Sequence, residues 1–128
     1  MTESGYTILV VEDDRDIREM AVAVLEAAGY RVLAAASGDE AHCLLLADPD
    51  LPLDAVFTDV AMPGRFDGIA LADAARSLRP GLPVLFTTGF ANLIRASRNL
   101  DLPGPILRKP YLPGELRRAL RALLQRVA

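Results

Sequence analysis

Residues 6–14 read Tyr-Thr-Ile-Leu-Val-Val-Glu-Asp-Asp, an apolar and β-branched run that stops at three acids. A run of this length between polar residues predicts a short buried strand, which we place from Tyr6 to Val11. The apolar residues that follow, from Ile17 to Ala28, recur at helical spacing, and Gly29 closes the predicted helix. The opening of the chain therefore predicts a buried strand, an acidic turn and an amphipathic helix.

The same alternation of strands and helices continues along the chain. Further apolar runs predict strands at Arg31–Ala35, Ala55–Thr58, Val84–Thr87 and Ile106–Arg108. Five strands that alternate with helices favour a parallel sheet covered on both faces, because each parallel crossover needs a helix and crossovers are right-handed. The predicted fold class is a doubly wound α/β sheet.

Four helices are predicted after the first one. One opens at the capping box Ser37-Gly38-Asp39-Glu40 and ends before Pro49. The next breaks at Arg79-Pro80-Gly81, and its predicted apolar face consists of Leu71, Ala74, Ala75 and Leu78. A short helix is predicted from Asn92 to Arg98. The last begins near Pro113, with an apolar stripe of Leu116, Leu120, Leu123, Leu124 and Val127.

The composition is that of an ordinary globular domain. The 128 residues are 52% hydrophobic and 24% charged, which predicts one domain over residues 1–128. A net charge of −3 with scattered arginines speaks against direct DNA binding. The single Cys43 and a first segment unlike a signal peptide favour a cytoplasmic location. No apolar run reaches the roughly 20 residues that span a bilayer, so no membrane insertion is expected.

Polar residues stand where four of the predicted strands end. Glu12 and Asp13 follow the first strand, Asp59 the third, Thr88 the fourth and Lys109 the fifth. Ligands of open α/β sheets bind beyond the carboxyl ends of the strands, so we expect these groups at one edge. Clustered carboxylates repel one another unless a cation joins them, and Mg2+ prefers oxygen ligands. The pattern predicts a magnesium site; the alternative for the acids after the first strand is a solvated helix start.

Lys109 is the only lysine of the chain, whose other thirteen basic side chains are arginine. A compact ammonium can approach a carboxylate or phosphoryl oxygen where a planar guanidinium is too large. The alternative is an ordinary surface lysine at a strand end. Because proline follows, the Lys109–Pro110 peptide bond is also a candidate for the cis form.

Four segments carry a resemblance to a known family: Ile8-Leu9-Val10-Val11-Glu12-Asp13-Asp14, Asp59-Val60-Ala61-Met62-Pro63, Thr88-Gly89 and Lys109-Pro110. In order and spacing they resemble the receiver domain of two-component response regulators, over nearly the whole chain. The resemblance implies a flavodoxin-like, five-stranded parallel sheet in the order 2-1-3-4-5. It also implies a signalling phosphoacceptor rather than an enzyme.

The resemblance assigns a role to each site residue. It implies that Asp59 takes a phosphoryl group from a sensor histidine kinase or a histidine phosphotransfer protein. Mg2+ would be held by Glu12, Asp13, Asp59 and the backbone carbonyl of Ala61, while Thr88 and Lys109 would grip the phosphoryl oxygens. Phosphorylation would then shift the face that binds a downstream protein target.

The sequence departs from the family pattern at two places. Ile106 stands where the family often has a switching tyrosine or phenylalanine, three residues before the lysine. The segment Pro63–Gly68 is one residue longer than the commonest form, and with Phe86–Ala91 it resembles receivers of hybrid histidine kinases or free-standing relatives. Ala61 and Phe90 offer no polar side chain to orient water, which predicts slow self-dephosphorylation.

Other interpretations fit the residues less well. A haloacid-dehalogenase-type phosphatase needs a second acid two residues after the nucleophile, where this chain has Ala61; a magnesium nuclease or topoisomerase-like domain also needs an acid there. A flavodoxin-like electron carrier needs a phosphate-cradling loop after the first strand, which here is acidic. The remaining alternative is a degenerate receiver that acts as a phosphorylation-independent interaction module.

Partner contacts are expected on the surface of the short helix, the fifth strand and the last helix. The hypothesis names Arg95, Arg98 and Arg118 as partner-binding residues. Because the chain stops after the last predicted helix, we expect no output domain, and a homodimer is left open. His42 and Cys43, inside the second helix, are expected to be structural.

Overall fold

The computed structural model describes residues 5–89 and 104–125, which form five strands and four helices. The strands are β1 (Thr7–Val11), β2 (Arg31–Ala35), β3 (Ala55–Asp59), β4 (Val84–Thr88) and β5 (Ile106–Arg108). The helices are α1 (Arg15–Ala27), α2 (Gly38–Ala47), α3 (Gly68–Leu78) and α4 (Pro113–Gln125). The helix predicted from Asn92 to Arg98 lies outside the described residues.

All five strands run parallel in the order β2-β1-β3-β4-β5, which confirms the predicted fold class and strand order. In the register of the central strands, Val11 lies opposite Thr58, and Asp59 lies opposite Thr87. The carboxyl ends of β1 and β3 therefore reach the same edge of the sheet. This register brings the acids after β1 next to the acid that ends β3.

Burial separates the central strands from the edge strands. Every residue of β1, β3 and β4 is buried, whereas β2 and β5 have exposed positions. Helices cover both faces of the sheet, as the near-continuous apolar runs of the central strands predict. One core layer packs α2 and α3 against Leu9, Val11, Val56, Val84 and Phe86. The other packs α1 and α4 against Ile8, Val10, Ala55, Phe57 and Leu85.

Side-chain caps fix where three helices begin. The carboxylate of Asp14 accepts from the Ile17 amide at 3.0 Å, and that of Asp67 accepts from the Ala70 amide at 2.8 Å. The Ser37 hydroxyl accepts from the Glu40 amide at 3.0 Å, as the capping box predicts. The Glu40 carboxylate, however, accepts from the Ala36 amide and not from Ser37 itself. These caps start all three helices at the edge of the sheet that carries the acids.

The predicted apolar face of α3 was partly wrong. Its buried residues are Gly68, Leu71, Ala72 and Ala75, whereas Leu78 is 46% exposed. The helix begins at Gly68, so the helical period runs through Ala72, and Leu78 falls at its solvent-facing end. In α4 the four leucines Leu116, Leu120, Leu123 and Leu124 are buried as predicted, and Val127 lies outside the described residues.

None of the described helices has the combined length and apolarity needed to cross a bilayer.

Candidate functional site

Three acids meet at the carboxyl edge of β1 and β3. Glu12 and Asp13 follow β1, Asp59 ends β3, and one carboxylate oxygen of each lies within 4.8 Å of the others. Glu12 is 3% exposed and Asp59 is 5% exposed, while Asp13 is open to solvent. The sheet register explains this convergence, because neighbouring parallel strands end side by side.

Lys109 supplies the positive charge of the site. Its ammonium nitrogen lies 2.6 Å from Glu12 Oε1 and 2.9 Å from Asp59 Oδ2, so it bridges the two buried acids. The backbone amide of Lys109 donates to the Thr88 carbonyl at 2.9 Å, which extends the pairing of β5 with β4. The Lys109–Pro110 peptide bond is cis. The side chain thus reaches across the end of β4 to the acids.

Burial and charge act against each other at Glu12 and Lys109. Burial, aided by the negative charge of Asp59, raises the pKa of Glu12 to about 7, although Lys109 and the Asp14 amide oppose that rise. Burial alone would lower the pKa of Lys109, but its hydrogen bonds to Glu12 and Asp59 outweigh that effect and raise it. The lysine therefore stays charged, while Glu12 exchanges its proton near neutral pH.

The segment after β3 returns to Asp59. The Ala61 amide donates to Asp59 Oδ1 at 3.3 Å, and the Gly68 amide donates to the Val60 carbonyl at 2.8 Å. A Cβ on Gly68 would collide with the Asp59 carbonyl oxygen, so glycine permits this close return. Ala61, predicted to offer its carbonyl to a metal, therefore lies directly beside the Asp59 carboxylate.

Thr88 is fully buried at the end of β4, and its hydroxyl donates to the Gly89 carbonyl at 3.4 Å. Its donation toward an anion at Asp59 stays a prediction. Ile106, at the position of the usual aromatic switch residue, is 39% exposed on β5. Phe90 lies outside the described residues.

The sequence interpretation missed Tyr111, which is 8% exposed and packs edge-to-face on Phe57 with ring centroids 5.8 Å apart. Burial, together with the charges of Glu12 and Asp59, raises the pKa of its phenol. Its place two residues after Lys109 was the available signal. Tyr111 also lines an apolar groove of about 330 Å³ with Ile17, Met20, Lys109 and Pro110. The groove opens between α1 and the turn that leads into α4, beside the acids.

Arg18 was also missed: its guanidinium donates to the Glu12 carbonyl at 2.9 Å and so ties α1 to the end of β1. A second groove of about 330 Å³ lies at the opposite end of the sheet, before β3 and β4, and includes Tyr6, Asp54, Arg79 and Leu124. It is remote from the acids in the fold, because most of its residues precede β1, β3 and β4, at the opposite end of these strands.

The donor set suits a hard divalent cation. It consists of carboxylate oxygens, and two of the three acids are buried with one lysine as their only described ion-pair partner. Buried carboxylates in excess of their counter-charge favour a cation with oxygen ligands, as Mg2+ is. The cluster can therefore bind a metal ion.

Comparison with known proteins agrees with this geometry. Residues 8–121 match the family model described as response regulator receiver domain. The chain is 38% identical over 106 residues to the response regulator receiver protein CpdR of Brucella abortus, with 81% of this chain and 84% of that protein covered. It is 33% identical over 125 residues to the phosphate regulon transcriptional regulatory protein PhoB of Pseudomonas aeruginosa. That match covers 95% of this chain but 53% of PhoB, so the chain spans about half of that relative's length.

Two solved structures are similar over almost the whole chain. A response regulator receiver protein from Sinorhizobium medicae has a TM-score of 0.84 at 30% identity, with 98% of both chains covered. The receiver domain of NtrX from Brucella abortus has a TM-score of 0.80 at 29% identity, with 92% of this chain and 98% of that chain covered.

Proposed function

This chain belongs to the response regulator receiver domain family, and from that premise we propose that Asp59 accepts a phosphoryl group. The donor is the phosphohistidine of a sensor kinase or a phosphotransfer protein. An Asp59 carboxylate oxygen attacks phosphorus, the P–N bond to histidine breaks, and the product is an aspartyl phosphate. The imidazole leaves with the bonding electron pair and takes up a proton.

One observation carries this proposal. Lys109 Nζ lies 2.9 Å from Asp59 Oδ2, within a buried acidic cluster at the carboxyl edge of a doubly wound sheet. Phosphoryl transfer depends mainly on positioning and on neutralising charge on the phosphoryl oxygens. An ammonium already hydrogen-bonded to the acceptor carboxylate is placed to contact a phosphoryl oxygen once that carboxylate is esterified.

The residues divide between metal binding and phosphoryl binding. Glu12, Asp13, Asp59 and the Ala61 carbonyl would hold Mg2+, which supplies positive charge next to the incoming phosphoryl group. Lys109 and the hydroxyl of Thr88 would contact the phosphoryl oxygens. On phosphorylation Lys109 would exchange a carboxylate oxygen for a phosphoryl oxygen as its partner. Because this contact exists only in the phosphorylated state, it favours a second conformation of the surrounding segments.

Partners follow from the same premise. We propose that the phosphodonor protein docks at the apolar groove beside Lys109, because Lys109 lines this groove and contacts Asp59. The response passes to a downstream protein target. The hypothesis from the sequence assigns the contact with the downstream target to three arginines. Arg118 is exposed on α4, and Arg95 and Arg98 lie outside the described residues. We also propose that residues 1–128 form one receiver domain.

The alternative, a phosphorylation-independent interaction module, is not favoured. Such a module has no need for a buried cluster of like charges, which costs stability unless it binds a cation. In this chain Glu12, Asp13 and Asp59 each place a carboxylate oxygen within 4.8 Å of the others, and Lys109 contacts Glu12 and Asp59.

The test is intact-protein mass after incubation with a small acyl phosphate, with and without Mg2+. We expect a magnesium-dependent gain of one phosphoryl group in the wild-type chain. Asp59→Asn should show no gain, because its amide is a poor nucleophile. Asp16→Asn, at an exposed position in the first turn of α1, is the matched control and should behave as wild type. No gain in the wild-type chain would favour the interaction module.

A further inference from the structure

Residues 60–67, here called the β3–α3 loop, connect the phosphoacceptor strand to α3 and include Ala61. The loop is attached to Asp59 at its start by the Ala61 amide. It is closed at its end by the bond from the Gly68 amide to the Val60 carbonyl. Its middle is held by another element altogether, the first turn of α2.

Asp39 makes that attachment. Its Oδ1 accepts from the Phe66 amide at 2.9 Å, and its Oδ2 accepts from the Arg65 amide at 3.3 Å. Both oxygens of one carboxylate thus bind consecutive backbone amides 26 and 27 residues away in sequence. Hydrogen bonds with an ionised acceptor are stronger than neutral ones, and two in parallel also fix orientation.

Packing around Asp39 supports the same attachment. Gly64 has φ +109°, and a Cβ there would lie 3.1 Å from the Asp39 carboxylate oxygens. A Cβ on Gly38 would collide with the Phe66 carbonyl oxygen. The rings of His42 and Phe66 pack against each other, tilted by 32°, with centroids 4.3 Å apart. Two glycines and one ring pair therefore let the β3–α3 loop lie directly on the start of α2.

An acid in the first turn of a helix ordinarily stabilises the helix dipole. The carboxylate of Glu40, the neighbouring acid, accepts from the Ala36 amide and so serves the start of its own helix. Asp39 differs, because both of its oxygens bind amides of the β3–α3 loop. A role confined to α2 leaves those two bonds unexplained.

We propose that Asp39 is a positioning residue: by holding the β3–α3 loop on α2, it fixes the Ala61 carbonyl beside Asp59 and strengthens Mg2+ binding. This inference rests on the proposed function, since it takes the Ala61 carbonyl as a metal ligand. It adds a residue that touches neither the metal nor the phosphoryl group. Removing a group that orients a metal ligand typically lowers the metal affinity by about 10–100-fold.

The experiment measures the Mg2+ dissociation constant of the unphosphorylated chain by titration calorimetry. Asp39→Ala should raise this constant about tenfold, because the loop loses both bonds that orient it. The phosphorylation rate at saturating Mg2+ should stay close to that of wild type, since Asp59 and Lys109 are unchanged. Hydrogen exchange at the Arg65 and Phe66 amides should accelerate in the same variant. A purely structural role would lower thermal stability and leave the dissociation constant unchanged.

Two further variants separate the possible causes. Glu40→Gln removes the same charge one residue away and should leave the dissociation constant near the wild-type value, which excludes a general electrostatic effect. Gly38→Ala keeps every charge but pushes the Phe66 carbonyl away from α2, and it should weaken Mg2+ binding as Asp39→Ala does.

Asp39→Ala with wild-type Mg2+ affinity would overturn the inference, and so would an equal loss in Glu40→Gln. A wild-type chain that bound no Mg2+ would instead overturn the proposed metal site, and with it the metal-binding part of this inference. The exchange rates at Arg65 and Phe66 distinguish these results, because they report the attachment of the loop without any metal.

Discussion

Glu12 is a buried acid beside a second buried acid, and its carboxyl group holds a proton to about pH 7. The folded chain therefore binds this proton more tightly than the unfolded chain, whose carboxyl has the ordinary pKa of 4.5. The stabilisation that this proton contributes is therefore fully present below pH 4.5 and is lost as the pH rises to about 7. The metal-free protein should thus become less stable across this range.

Mg2+ binding should show the opposite trend, because the proposed metal ligand is the ionised carboxylate of Glu12. The dissociation constant should fall as the pH rises to about 7 and then level off, and binding below that pH should release a proton. Calorimetry near pH 6, in two buffers with different ionisation enthalpies, measures the release. Equal heats in both buffers would contradict the prediction, and Glu12→Gln should abolish the pH dependence of metal affinity.

The sequence predicts that Glu12, Asp59 and Lys109 lie close together, because each follows or ends a parallel strand. The distances from Lys109 Nζ to the two carboxylates confirm this prediction. The prediction succeeds because such side chains are placed by strand register. Asp39 could not be found in that way, since its partners are backbone amides 26 and 27 residues further along. Amide groups have no sequence signature, and Asp39 itself resembles any acid at a helix start. Tyr111 was hidden for a related reason: an aromatic residue after a strand is usually assigned to the core.

Helix α1 forms one side of the apolar groove beside Lys109. Ile17 and Met20 form its side of the groove, while Lys109, Pro110 and Tyr111 form the other. In the proposed function a phosphodonor protein makes apolar contact here to reach Asp59, whereas a small phosphoryl donor does not need that contact. Comparing the phosphorylation rates with the two kinds of donor therefore separates an effect on docking from an effect on phosphoryl transfer.

Met20→Gln should lower the phosphotransfer rate from the cognate kinase or phosphotransfer protein by about tenfold, the loss expected for one apolar anchor. The rate with a small acyl phosphate should be unchanged. Ala23→Gln places the same side chain at an exposed position of α1 outside the groove, and this control should match wild type with both donors. Equal losses with both donors would place the effect at the catalytic groups and remove the docking role.

The elements themselves were largely predictable from the sequence. Three of the strands are buried along their whole length, so their apolar runs are unbroken and easily seen. Asp14, Ser37 and Asp67 are all residues that favour helix starts. The buried face of α3 was misassigned because alanine carries a weak signal: Ala72 is buried and Ala74 is only half-buried. Tertiary packing, and not hydrophobicity alone, decides between such positions.

Across the whole molecule, the site draws on β1, β3, β5 and the segment that β3 feeds into α3. Parallel topology was predictable from the alternation of strands and helices, whereas the strand order that puts β1 beside β3 was implied by the family resemblance. The contribution of α2 was not predictable, because it depends on how the helix packs beside the β3–α3 loop. The acids share Lys109, so the folded chain contains its own counter-charge.

Replacing that counter-charge should make stability depend on the metal. In a chelator, Lys109→Met should lower the free energy of unfolding by about 3 kcal/mol at neutral pH, because both buried acids lose their partner. Mg2+ should restore part of this loss. Thermal and urea unfolding with and without Mg2+ measure both effects, with Arg117→Met, an exposed position on α4, as the control. A loss that Mg2+ did not relieve would assign Lys109 a packing role only.

The bridge from Lys109 to Glu12 and Asp59 also bears on how this protein is made in a cell. In many metal sites the ion supplies folding energy, and the newly synthesised chain must wait for it. Here Lys109 pairs with Glu12 and Asp59 in the metal-free chain, so the newly made molecule can fold before any ion arrives. Folding and metal binding then become separate events, and with the proposed Mg2+ requirement a shortage of magnesium would leave folded but unphosphorylated molecules instead of misfolded ones.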